Sequence, residues 1–201
     1  MKTPLTDRSG TATVLICSPD PVFRDHLTRL LHAIGGYRTA ASSSPATALQ
    51  SALEQPPDLL ICSHEPGLCD GLALVASLRG KVWVPVVLAA KSWTPELVKA
   101  AVAEGVAAFL ASFPSEAELT HALLEARIRL EHEELLRTKL RESEQHLADR
   151  KVIEKAKGLL MEREQISEDV AFKLMRSQSM TRRISMAKLA EELLTSMSNQ
   201  G

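Results

Sequence analysis

Residues 58–63 read Asp58-Leu59-Leu60-Ile61-Cys62-Ser63, and Asp70-Gly71-Leu72 follows shortly after. An apolar run between polar ends is the pattern of a strand covered on both faces, as in a parallel sheet. The same pattern recurs outward in both directions: ATVLIC at 12–17, YRTAA at 37–41, VPVVLAA at 84–90 and AAFLAS at 107–112. Between these runs lie stretches with helical spacing, at 21–34, 45–54, 71–79, 95–103 and from 115 onward. Five strands alternating with five helices predict a doubly wound α/β domain of (βα)5 type. Punctuation agrees, with Gly35 and Gly36 closing the first helix, Pro45 opening the second and Gly105 preceding the fifth strand.

The remainder has a different texture. After Ser115 neither Gly nor Pro occurs until Gly158, so the fifth helix is expected to run well beyond the sheet. Leu119, Ala126, Leu140 and Leu147 fall on one seven-residue repeat and Leu123 and Leu130 on its companion positions, which predicts a coiled-coil homodimer. Glu133, Arg137 and Glu144 interrupt that seam, and a single exposed helix laced by i,i+4 ion pairs fits the same residues. Residues 149–201 read as three short helices capped by Asp149, Ser167 and Ser185. The expected division is thus a flexible N-terminus at 1–11, an α/β domain at 12–117, a coiled-coil helix at 118–148 and an all-α module at 149–201.

Composition limits the chemistry. The 201 residues carry 24 Lys plus Arg against 25 Asp plus Glu, and 45% are hydrophobic but only 3% aromatic. That excludes a disordered tail, and the near-neutral total counts mildly against nucleic acid. Divided at residue 125, however, the charges separate into 9 cations against 12 anions before it and 15 against 13 after it. No stretch approaches the roughly 18 apolar residues of a membrane span, and 1–10 lacks the core of a secretory signal, so a cytoplasmic protein is expected. Cys17, Cys62 and Cys69 form no C-x-x-C and the six histidines show no ligand spacing, so the thiols read as inert and neither metal nor cofactor is expected.

The five-fold pattern with Asp70-Gly71-Leu72 after the third strand resembles the receiver domain of two-component response regulators. The resemblance implies a phosphoacceptor Asp, an acidic pair for Mg²⁺, a switch hydroxyl and a Lys at the strand ends. Here Ser63 stands at the phosphoacceptor position, Ser18 and Pro19 at the acidic pair, Ala90 at the hydroxyl and Ser112 at the Lys. Their joint loss predicts a pseudo-receiver, without aspartyl phosphorylation or any other enzyme activity. Its expected role is binding, with Trp83, Trp93 and Phe113 as a partner surface and Phe109 as core.

A second resemblance lies toward the C-terminus. Ile153, Ala156-Lys157-Gly158 and Leu160-Met161 precede Ser167 and Ala171-Phe172, and then Arg176, Ser179-Met180 and Arg183. In that order and spacing they resemble the ANTAR domain of amidase and nitrate-assimilation antitermination regulators; Ser179 departs from the family's usual Ala. The resemblance to AmiR/NasT-like antiterminators implies binding of paired hairpins in a leader mRNA. It also implies release by a ligand-sensing regulatory protein, with nitrate or nitrite slightly favoured over amides as the signal. Arg150, Lys151, Lys155, Lys157, Arg176, Gln178, Arg182 and Arg183 are the expected RNA contacts, against the alternative of a solvated charged face. Phe172, Met161 and Met180 are expected to pack. A DNA-binding response-regulator-like transcription factor is the runner-up, set back by the lack of a basic recognition helix in 186–197; a pure interaction scaffold comes third.

Overall fold

Residues Leu59–His64 form the centre of a five-stranded parallel sheet of order β2-β1-β3-β4-β5. The strands are β1 Ala12–Cys17, β2 Tyr37–Ser42, β3 Leu59–His64, β4 Val86–Ala90 and β5 Ala108–Ala111. Between them lie α1 Pro21–Ile34, α2 Pro45–Glu54, α3 Gly71–Leu78 and α4 Pro95–Ala103. The computed structural model describes residues 10–198, so residues 1–9, 199–201 and the side chains of Met197 and Ser198 lie outside the described residues. The chain divides into two units, Met1–Glu134 and Leu135–Gly201.

Alternation along the strands builds the two layers of the first unit. Val14, Ile16, Leu59, Ile61, Val87 and Ala89 face one side, where Phe23, Leu27 and Leu31 of α1 cover them. Leu15, Cys17, Leu60, Cys62, Val86 and Leu88 face the other, beneath Ala48 and Ala52 of α2, Leu74, Val75 and Leu78 of α3, and Ala101 of α4. Each helix starts where its sequence signals. Asp20, Ser44, Asp70 and Thr94 accept from Val22 N at 2.9 Å, Thr47 N at 3.3 Å, Ala73 N at 3.0 Å and Leu97 N at 3.2 Å. Gly35 (φ 81°) ends α1 by donating to Leu31 O at 3.0 Å.

The fifth helix, α5 Glu116–Glu164, starts from a reciprocal cap. Ser115 N donates to Glu118 Oε2 at 2.7 Å and Glu118 N to Ser115 Oγ at 3.3 Å. Two expectations are corrected along it. Leu119, Leu123, Ala126 and Leu130, assigned to a coiled-coil seam, are buried in the sheet's own core beside α1. A heptad repeat and the apolar stripe of a sheet-covering helix coincide over a few turns, so spacing does not separate them. Only Leu140 and Leu147 of that series stay exposed, joined by Leu136. Nor does Asp149 begin a helix: α5 runs through it unbroken, and its carboxylate accepts from Gln145 Nε2 at 2.6 Å one turn earlier.

In the second unit the end of α5 packs with α6 Glu168–Arg182 and α7 Met186–Ser198. Ala156, Met175, Leu189 and Ala190 are its buried centre, flanked by Val152, Ile153, Ile184, Met186, Leu193 and Leu194. Ser167 stands at the start of α6 but its side chain makes no capping bond, whereas Ser185 Oγ accepts from Lys188 N at 3.1 Å. Arg183, left-handed at φ 52°, closes α6, and Ile184 N then donates to Ser179 O at 3.1 Å.

Candidate functional site

The expected RNA contacts divide by what surrounds them. Arg150, Lys151 and Lys155 are exposed on α5, and Arg176, Gln178 and Arg183 are exposed on or at the end of α6. Lys157 is corrected. Its side chain is only 10% exposed, and Nζ donates to Glu154 Oε2 at 2.6 Å and to Glu168 Oε1 at 2.7 Å. These carboxylates, Glu154 first, hold its ammonium above the ordinary lysine range. Lys157 is therefore a clamp between α5 and α6, with its charge already spent on protein partners. Arg182 is intermediate: half exposed, it pairs with Glu192 Oε2 at 2.6 Å and ties α6 to α7.

The face of α6 carries what the spacing of apolar residues did not disclose. Ala171, Met175 and Ser179, each four residues apart, form the buried ridge. Beside it, Phe172, Arg176 and Met180 follow at i, i+4 and i+8, one stripe of a helix with 3.6 residues per turn, and Arg183 is exposed at the left-handed residue that closes the helix. Phe172 is 42% exposed and Met180 69%, so neither is the packing residue expected of it. The buried ridge and the exposed stripe are interleaved within one motif. Alternating planar or soft apolar groups with cations suits an unstacked base beside a phosphate. Gln178 falls on the other side of the ridge by the same spacing.

In the first unit the positions of a phosphate site converge at the carboxyl edge of the sheet. Ser18 follows β1, Ser63 lies near the end of β3 opposite Ala89, and Ala90 ends β4. The chemistry is absent from them. Asp20, the nearest acid to β1 in sequence, caps α1, and Glu65 is ion-paired with Lys91, whose charge it reinforces. Ser63 Oγ is buried without a hydrogen-bond partner, and His64 Nδ1 stands 3.6 Å from Asp70 Oδ1. A cleft of about 250 Å³ beside them is lined by His64, Glu65, Ala90, Lys91 and Thr94. One carboxylate neutralised by a lysine is a poor cradle for Mg²⁺, which takes carboxylates together with phosphate oxygens.

The aromatic partner surface is not one surface. Trp93 is half-buried against the core, edge-on to Phe109 at 4.9 Å, so it is no free anchor. Phe113, 54% exposed, meets Phe23 at 6.1 Å and His26 at 5.7 Å, whereas Trp83, 38% exposed, borders a small cleft with Arg129, Leu130 and Glu133. The three cysteines, expected to be inert thiols, are buried and meet at one point in the core.

Comparison with known sequences bears on the second unit first. Residues 141–194 match the family model described as the ANTAR domain. The chain carries an ANTAR domain. The match begins inside α5, eight residues before Asp149, in keeping with a helix that does not break there. Transcriptional regulatory protein PdtaR of Mycobacterium tuberculosis, in strains CDC 1551 / Oshkosh and ATCC 25618 / H37Rv, is 27% identical over 199 residues. The alignment spans 98% of this chain and 97% of the relative, so the similarity extends beyond the ANTAR domain to the α/β unit. The signal receiver domain of the response regulator NarL from Mycobacterium tuberculosis superposes with a TM-score of 0.53 at 26% identity, over 58% of this chain and 96% of that one. The chemotaxis response regulator CheY4 of Vibrio cholerae shares the fold at a TM-score of 0.53 and 19% identity, over 58% and 98%. The α/β unit that precedes the ANTAR domain thus has the receiver fold. Among the described residues no helix is long and apolar enough to cross a membrane.

Proposed function

We propose that the chain is a transcription antitermination regulator whose ANTAR domain binds paired hairpins in a leader mRNA. The receiver-fold unit responds to a partner protein instead of to aspartyl phosphorylation. The observation that carries the reading is the exposed stripe Phe172, Arg176 and Met180 with Arg183 at its end, which packing does not account for. Arg150, Lys151 and Lys155 add exposed positive charge from α5, which supplies affinity for phosphate without sequence preference. Arg182 and Gln178 are secondary contacts; Lys157 is not one.

Control by a ligand-sensing partner is supported by the emptied pocket, since a unit that keeps the receiver fold without its phosphate chemistry retains surfaces but not the switch. Phe113 and Trp83 then belong to separate contacts. Support for nitrate or nitrite as the signal is the stretch LADRKVIEKAKGLLM at 147–161. A homodimer through α5 is supported by the exposed Leu136, Leu140 and Leu147.

Fluorescence titration of the full chain against an RNA with two adjacent six-base-loop hairpins tests the RNA reading. Tighter binding than to a scrambled hairpin or to duplex DNA is expected. Equal affinity for all three would contradict it, and preference for the duplex would restore the DNA-binding alternative.

A further inference from the structure

Every cysteine of the chain converges on one place. Cys17 ends β1 and Cys62 lies in β3; the two are register partners on adjacent parallel strands, so their side chains leave the same face of the sheet. Cys69 joins them because the chain folds back after β3. Glu65 N donates to Cys69 O at 2.8 Å and Cys69 N to Glu65 O at 2.9 Å, around Gly67 at φ +83°. The three thiols are 0%, 0% and 1% exposed, all free, and their Sγ atoms lie within 4.8 Å of one another. Gly71 completes the enclosure. A Cβ there would stand 2.7 Å from Ser63 O and 3.1 Å from Cys62 Sγ, so only glycine lets the first turn of α3 approach the sulfurs this closely.

We propose that Cys17, Cys62 and Cys69 form a three-thiolate site for a soft monovalent cation, the cuprous ion. Metal–sulfur bonds of about 2.3 Å in a trigonal arrangement place sulfurs about 4 Å apart, so closing from the observed spacing takes less than about 1 Å of movement. Thiolates select Cu(I), Zn(II) or iron–sulfur clusters. Structural zinc takes four ligands and clusters take four cysteines. Among the described residues no His, Asp or Glu atom joins this group. Three buried sulfurs without a fourth such ligand therefore fit a low-coordinate, thiophilic ion best. Binding exchanges three S–H bonds for three Cu–S bonds and releases three protons to solvent, with no change of oxidation state. The excess negative charge faces the amide end of α3, and Arg24, whose Nη1 donates to Ser18 O at 2.6 Å, lies close by in the chain. The site occupies the sheet edge where Ser18 and Ser63 directly follow Cys17 and Cys62. It does not depend on the RNA-binding reading.

The test uses the full chain, reduced and without oxygen, given Cu(I) in competition with bicinchoninate. One copper retained per chain is expected, with X-ray absorption showing sulfur alone at about 2.3 Å. Cys69→Ser, in the loop, is expected to weaken retention by more than the 10–100-fold typical of losing an outer-shell partner. If that variant does not fold, the wild-type stoichiometry and coordination decide. Failure to hold copper against the chelator, nitrogen or oxygen ligands in the spectrum, displacement of Cu(I) by equimolar Zn(II), or unchanged retention in a chain lacking all three thiols would each overturn the proposal.

Discussion

The two units spend their residues in opposite ways. The receiver-fold unit has a sheet packed on both faces, with Ser18, Ser63 and Ala90 at its carboxyl edge. The ANTAR unit centres on four buried residues, Ala156, Met175, Leu189 and Ala190, and places Arg150, Lys151, Lys155, Arg176 and Phe172 outward while Lys157 is buried between Glu154 and Glu168. A deep scaffold outlasts the removal of its chemistry because packing, not the pocket, holds it. A thin one has almost no margin, and its exposed cations share a helix with its core.

The sharpest way to break this contrast is a cavity. Met175→Ala removes the centre of the small core and is expected to cost about 2–5 kcal/mol, enough to unfold the ANTAR unit alone. Hydrogen exchange should then show lost protection over 152–194 and retained protection over 12–111; simultaneous loss in both would mean the units are not separate. Next in size is Gly71→Ala, which forces a Cβ against Ser63 O and Leu88 and is expected to cost about 1–3 kcal/mol in the receiver-fold unit. Denaturant unfolding monitored on that unit reads it, with RNA affinity unaltered.

Smaller effects sharpen the ANTAR side. Arg176→Ala and Arg183→Gly, the latter suited to the left-handed backbone, are each expected to reduce the salt dependence of RNA binding by about one phosphate contact. Lys157→Met should leave that slope unchanged and lower the thermal midpoint, because its charge holds Glu154 and Glu168. Smallest of all, Ser63→Asp is expected to gain no labelling from acetyl phosphate with Mg²⁺, since Ser18, Pro19, Ala90 and Ser112 still supply no metal ligand or lysine. Stoichiometric labelling would show that one residue alone had silenced the pocket.

Much of this was legible in the residues. Strands and helices through α4 announce themselves because apolar runs, caps at Ser44 and Thr94, and prolines at 45 and 95 agree locally. The start of α5 misleads because Leu119, Leu123, Ala126 and Leu130 obey a period that a sheet-covering helix and a coiled coil share. Asp149 misleads because a capping residue is only a cap if the helix stops. Phe172 and Met180 look like core by composition; only the direction from which α7 covers α6 shows that Met175 is inside and they are outside. The cysteine cluster has no sequence signature at all, since it depends on the β1–β3 register and on the turn through Gly67.

If the ANTAR stripe acts on RNA to permit transcription, transcription in vitro past a terminator reads it out. The template carries a leader encoding two adjacent hairpins ahead of a terminator. The account predicts that the full chain raises read-through past the terminator, and that the Arg176→Ala/Arg183→Gly double variant, still folded, does not. Unchanged read-through with the wild-type chain, or equal read-through with the double variant, would contradict it.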